Sequence, residues 1–260
     1  MNKLPSRPKP FAPIREDSRL KNPGRAAPEI RVFPDEDSLA DFALSVWEEA
    51  SRARPFAVAL SGGQTPVPLF RLLASRPGLP WSATRVFFAD ERFVPPGQPQ
   101  SNLRLARETF LSRLPIPGQN LCAPRGEGAI AEAARGYESA LRRLMAEWGR
   151  EEALFDLVLL GVGEDGHTAS LFPGSPLLEE SVRWVGAETR PSVTPPRITL
   201  TLPAINRSRV VLFLVSGEKK AGILRRVAAD RDPSLPAALV RPRAGRLIFA
   251  ADRAAASRLG

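Results

Sequence analysis

The sequence predicts an α/β fold, with a mostly parallel, Rossmann-like sheet covered by helices on both faces and a small antiparallel patch. Three observations lead there. Short, almost wholly apolar runs recur along the chain, such as Leu157–Leu160 and Val210–Val215, as strands buried on both faces require. Amphipathic stretches of helical length separate most of them, the alternation that produces parallel crossover units. Between residues 181 and 215 the strands have short connections instead, which favours antiparallel pairing.

Taken in order, residues 1–28 hold six prolines and almost no periodic apolar pattern. Such a segment cannot bury enough surface to offset its ordering entropy, so a disordered basic arm is expected, followed by one α/β domain over residues 29–260. That domain opens with a short strand at 29–33. Residues 35–54 read as a helix, acidic at the start, apolar at Leu39, Phe42, Ala43, Val46 and Trp47, and basic at the end. Phe56–Leu60 is a buried strand. The turn Ser61-Gly62-Gly63-Gln64-Thr65-Pro66 leads into a helix ending near Ala74, with Pro66 at a first-turn position that needs no N–H. Residues 85–89 form a strand running into Asp90-Glu91-Arg92. After a loop rich in proline and glycine, residues 101–114 form a helix capped by Ser101 or Asn102. Residues 127–148 read as a long amphipathic helix, and 155–160 as the most apolar, central strand. A helix of about two turns is expected to start near His167 and to stop at Pro173-Gly174. Strands at 197–202 and 209–215, a helix at 217–228, a strand at 246–250 and a short helix at 252–259 complete the domain.

The charge excludes some function classes. The chain carries +9, from 37 basic and 28 acidic residues. Residues 1–28 contribute seven basic and two acidic side chains, a net +5, which leaves +4 for the other 232 residues. A fold built around nucleic acid spreads its charge over a folded face, so no nucleic-acid partner is expected. No apolar run approaches the roughly 20 residues a spanning helix needs, and no secretory signal is visible, so no membrane partner is expected either. One cysteine, Cys122, suits a reducing, cytoplasmic setting. One histidine, His167, beside that single cysteine argues against a His/Cys zinc site. Of five lysines, only Lys219 and Lys220 lie outside the arm.

Ligands of open α/β sheets bind beyond the carboxyl ends of the strands. Three segments leave strand ends there with small and ionisable residues together. In the turn at 61–66, Gly62 and Gly63 allow close backbone approach, and the following helix start suits an anion. It lacks the Gly-Lys-Ser/Thr of a nucleotide-binding loop. Asp90-Glu91-Arg92 places two carboxylates and a guanidinium directly after an apolar strand, which is either a salt-bridged strand end or part of a site. Gly161, Gly163 and Gly166 match a dinucleotide-binding spacing, but the stop at Pro173-Gly174 leaves no room for the crossover helix that such a site needs. What remains is a glycine-rich turn presenting His167 at a helix start, where the dipole disfavours imidazolium and a neutral ring can act as a base. Lys219 and Lys220 open another helix that follows a strand, as solvated side chains or as a charge facing phosphate.

These segments, with Ser101-Asn102, Pro196-Arg197-Ile198-Thr199-Leu200-Thr201 and Gly217-Glu218-Lys219-Lys220-Ala221, resemble the 6-phosphogluconolactonases over about residues 31–255. The resemblance implies a hydrolase, without metal or cofactor, that opens 6-phospho-D-glucono-1,5-lactone to 6-phosphogluconate in the oxidative pentose phosphate pathway. Its partner would be that small sugar-phosphate lactone, and the enzyme a cytoplasmic monomer. By position, His167 would be the general base and Arg92 would steady the oxyanion or the sugar. Asp165 would orient His167 or touch sugar hydroxyls, and Asp90 would touch the sugar. Gly62, Gly63, Thr65 and Lys219 would line the phosphate side with Arg197 nearby. Lys219 is preferred to Lys220 as the residue nearer the helix start. The related glucosamine-6-phosphate deaminases share the glycine turn, the acid pair and the Asp-Gly-His segment. They typically follow the histidine with Ile-Ala-Phe-Asn-Glu, whereas Thr168-Ala169-Ser170-Leu171-Phe172 here supplies no carboxylate. A non-catalytic sugar-phosphate-binding regulator is a third reading, disfavoured because residues 1–28 are too short and too proline-rich for a DNA-binding domain. A serine-triad hydrolase is excluded, since neither Ser61 nor Ser170 sits in a nucleophile elbow.

Overall fold

The computed structural model describes residues 27–150 and 152–260. The expected arm therefore lies, up to residue 26, outside the described residues. The chain runs through β1 (Glu29–Phe33), α1 (Glu36–Ala50), β2 (Phe56–Leu60), α2 (Val67–Ala74), β3 (Thr84–Phe88), β4 (Asp90–Arg92), α3 (Asn102–Thr109) and α4 (Ile130–Glu147). It continues with β5 (Leu157–Leu160), β6 (Val185–Glu188), β7 (Arg197–Leu200), α5 (Leu202–Ile205), β8 (Val210–Val215), α6 (Ala221–Leu224) and β9 (Arg246–Asp252).

Six strands form a parallel sheet in the order β1-β9-β8-β5-β2-β3. Its inner strands are buried on both faces because alternate residues feed different cores. Phe56, Val58 and Leu60 pack with α1, α2 and α3, whereas Ala57 and Ala59 pack with α4. In β8, Leu212 and Leu214 belong to the first core and Val211, Phe213 and Val215 to the second. The antiparallel patch is a separate sheet, β4-β7-β6. Ala89 joins the two sheets, its N–H donating to Leu60 O at 2.8 Å and its carbonyl accepting from Leu200 N at 2.7 Å.

After β2 the chain moves outward to β3, then returns to place β5 on the other side of β2. The crevice beyond the carboxyl ends of β2 and β5 is thus the topological switch point, where such sheets bind ligands.

Several elements differ from their sequence-based bounds, for local reasons. The first helix stops at Ala50 rather than 54, since Pro55 disfavours helical backbone at Arg54. The helix expected from 127 begins at Ile130, because Gly128 has φ +82°. Asp90–Arg92 is not a loop leaving the strand but β4, paired with β7. The helix expected near His167 is absent. Gly166 at φ +84° and Ala169 at +48° take left-handed backbone that a helix cannot continue. The segment 217–228 is helical but irregular, a 3₁₀ turn at Glu218–Lys220, then α6, then a π turn at Arg225–Ala229. The expected terminal helix at 252–259 is a run of turns after β9. Asp252 ends that strand, and its carboxylate accepts from Ala255 N and Gly217 N.

Candidate active site

The loop after β2 and the loop after β5 are tied where they leave the sheet. Ser61 Oγ donates to Leu159 O at 2.8 Å, bridging the ends of both strands. Thr168 Oγ1 then donates to Gly161 O at 2.9 Å, and Gly163 N to His167 O at 2.9 Å. The result is a tight turn that carries His167 back over the crevice. Gly163 is required there, since a side chain would overlap the His167 ring and the Asp165 carboxylate.

His167 Nδ1 lies 2.6 Å from Asp165 Oδ1, and the same oxygen accepts from His167 N at 3.1 Å. Facing a carboxylate, Nδ1 carries the proton, which leaves the Nε2 lone pair free. The ring packs against Phe172, centroids 4.6 Å apart. Burial acts to raise the Asp165 pKa, but the N–H bonds and charge of His167 outweigh it and hold the carboxyl below its ordinary value. The helix dipole expected at His167 is thus replaced by an acid partner.

The second sheet delivers the opposite wall. Asp90 is buried, with Oδ2 accepting from Ser170 Oγ at 2.7 Å and its backbone carbonyl accepting from Asn102 Nδ2 at 2.9 Å. Glu91 points away from the cavity and accepts from Arg92 N, Asn102 N, Leu103 N and Ser101 Oγ, capping the start of α3. Burial raises its pKa above the ordinary value in spite of those backbone donors. Arg92 donates through Nη1 to Asn102 Oδ1 at 2.6 Å and to Gln100 O at 2.9 Å.

These walls enclose a cavity of about 300 Å³ at the switch point. It brings together Gly62, Gly63, Thr65, Asp90, Arg92 and His167 of the expected site residues. Lys219, Asp165 and Arg197 are not among its lining residues. Lys220 lines the cavity and Lys219 is exposed outside it. The tight 3₁₀ turn after Gly217, at φ +88°, places the second lysine rather than the first toward the crevice. Asp165 and Arg197 line an adjoining cavity of about 390 Å³, so they stand beside the main one rather than in it. Arg197 is opposite Arg92 in the β4–β7 register. Burial, and next the charge of Arg92, push its pKa below the ordinary value. Asn102 and Ser170 were not expected as site residues. The sequence signals were a helix cap and a stretch of the family resemblance for Asn102, and membership of the post-histidine segment for Ser170, and none of these reveals a long-range contact. Among the described residues, no cluster of three or more His, Cys, Asp or Glu is placed to hold a metal ion. No described helix is long and apolar enough to cross a membrane.

Known proteins share this arrangement of chain. A family model described as glucosamine-6-phosphate isomerases/6-phosphogluconolactonase matches residues 36–249. Human 6-phosphogluconolactonase is 44% identical over 212 residues, spanning 79% of this chain and 81% of that protein. The 6-phosphogluconolactonase of Synechocystis sp. is 37% identical over 241 residues, spanning 90% of this chain and 99% of that protein. The crystal structure of 6-phosphogluconolactonase from Thermotoga maritima superposes with a TM-score of 0.74 at 33% identity, covering 86% of this chain and 100% of that one. A match over most of the domain, with relatives well above 30% identity aligned over most of their own length, establishes that the chain belongs to the glucosamine-6-phosphate isomerase/6-phosphogluconolactonase family.

Proposed function

We propose that the protein is a 6-phosphogluconolactonase that hydrolyses 6-phospho-D-glucono-1,5-lactone to 6-phospho-D-gluconate. The observation that carries the mechanism is the Asp165–His167 pair at the cavity wall, with Nδ1 held and Nε2 free. Nε2 takes a proton from water as its oxygen attacks the lactone C1. The Asp165 carboxylate steadies the positive charge that the ring acquires. Arg92 steadies the oxyanion or the sugar. When the tetrahedral intermediate collapses, the bond between C1 and the ring oxygen breaks, and His167 returns its proton to that oxygen as it becomes the C5 hydroxyl. A lactone is a reactive ester, so a general base worth roughly 10²–10⁴-fold and one oxyanion donor worth about 10²–10³-fold are sufficient chemistry.

Gly62, Gly63, Thr65 and Lys220 form the phosphate end of the cavity in this reading, with Arg197 supporting the anion from the neighbouring cavity and Asp90 near the sugar. The substrate needs neither a bound metal nor a cofactor. Residues 29–260 act as one domain, and deletion of residues 1–28 leaves kcat unchanged. The single cysteine suits a cytoplasmic enzyme, acting as a monomer. The test is a coupled assay on freshly made 6-phosphogluconolactone, run beside ammonia release from glucosamine 6-phosphate. Rapid lactone opening without ammonia supports the reading, and ammonia release with slow lactone opening overturns it.

A further inference from the structure

We propose that Asn102 is a positioning residue for Arg92, and that its amide occupies the space left by the missing side chain of Gly62. The glycine turn and the Asp-Glu-Arg strand are thereby locked together at one buried side chain. The inference rests on the reading of Arg92 given above.

Asn102 is the first residue of α3 and is 2% exposed. One amide serves two neighbours of opposite need. Oδ1 accepts from Arg92 Nη1 at 2.6 Å, and Nδ2 donates to Asp90 O at 2.9 Å. Its backbone is held in turn by Glu91, whose carboxylate accepts from Asn102 N at 2.7 Å and from Leu103 N at 2.8 Å. Arg92 has little else to orient it. Its other acceptor is Gln100 O, and Nε is buried without a partner among the described residues. Both acceptors are neutral. An aspartate at 102 would orient the guanidinium equally well but would neutralise it, and would place a third carboxylate beside Asp90 and Glu91. An asparagine fixes the cation and leaves its charge for the ligand.

The contact with Gly62 is steric. A side chain at Gly62 would overlap the Asn102 amide, and the three nearest atoms would be Oδ1, Cγ and Nδ2 of that residue. Gly62 is not in the left-handed region, so its backbone tolerates alanine. The need for glycine there comes from Asn102 across the crevice, 40 residues away in sequence.

The experiment is a pair of double-mutant cycles, reading kcat and KM for 6-phosphogluconolactone and Tm for every variant. Asn102→Ala should lower kcat about 10- to 100-fold, as loss of one charge-assisted hydrogen bond predicts. In an Arg92→Ala background the same change should cost less than about twofold, because the residue it positions is gone. Gly62→Ala should lower kcat in the wild-type background. In the Asn102→Ala background it should cost less than about twofold, since the obstructing amide has been removed. Should Asn102→Ala fail to fold, Asn102→Ser keeps a donor for Asp90 and serves the same cycles. Multiplicative effects in both cycles would overturn the inference while leaving the reading of Arg92 intact. Near-normal activity of Arg92→Ala alone would overturn that reading and the inference with it.

Discussion

The two ends of the parallel sheet treat charge in opposite ways. At the amino ends, Asp156 is 1% exposed and sits among arginines, with Arg150 Nη1 at 2.8 Å and Arg209 Nε at 3.4 Å. It also accepts from Ala57 N at 2.8 Å, binding the starts of β2, β5 and β8 to one carboxylate. At the carboxyl ends the acids are held by other donors. Asp90 is held by a hydroxyl and an amide, Glu91 by backbone N–H groups, and Asp165 by His167. Among the described residues, Arg92, Arg197 and Lys220 at that end form no ion pair. One end uses its cations to hold the strands together, and the other leaves Arg92, Arg197 and Lys220 without an acid among the described residues. The +9 of the whole chain is a poor guide to either, since what matters is which positive charges are left without an acid.

Breaking the comparison should give effects of different kind at the two ends. The largest is expected at His167. His167→Ala should lower kcat for lactone hydrolysis roughly 10²–10⁴-fold with an unchanged Tm, read by the coupled assay and by thermal melting. At the opposite end, Asp156→Ala strands Arg150 and should reduce stability by about 3–5 kcal/mol in urea unfolding, with kcat of the folded fraction unaltered. A fall in kcat without a loss of stability would dissolve the division of labour.

Asp165→Asn is the next test, because an amide lacks the negative charge that fixes the proton on Nδ1 and steadies the charged ring. A fall in kcat of at least about tenfold is expected, with little change in KM. The sign of its pH dependence follows from the lowered Asp165 pKa. The contribution of the carboxylate is complete above the ordinary aspartate value and is lost only as pH falls through the lower folded one. Between about pH 5 and 8 Asp165 stays ionised, so a loss of activity on acidification in that window reports protonation elsewhere. Smallest are the lysines. Lys220→Ala should raise KM for the phosphorylated lactone about tenfold, whereas Lys219→Ala should change it less than about twofold. The reverse order would restore the residue that its position nearer the helix start favours.

Much of this architecture is legible from residue patterns. Unbroken apolar character in Phe56–Leu60 and Val210–Val215 marks strands buried on both faces, and the three segments that meet at the cavity are those that follow strands with small and ionisable residues. Illegible features depend on backbone detail or on distant partners. Whether the first or second lysine faces inward turns on a 3₁₀ rather than an α start after Gly217. The helix expected at His167 fails because Gly166 and Ala169 are left-handed, which composition does not reveal for an alanine. Asp90–Arg92 becomes a strand only because β7, more than 100 residues later, supplies its partner. The link between Gly62 and Asn102 likewise exists only once the two sheets are joined at Ala89.

The central claim is that the carboxyl-end crevice holds its cations for a phosphorylated lactone that His167 then opens. Its most direct test is kcat/KM of the purified protein for 6-phosphogluconolactone beside glucono-1,5-lactone under identical conditions. A preference for the phosphorylated lactone of at least about tenfold, expressed mainly in KM, is predicted. Equal values for the two lactones would contradict the account.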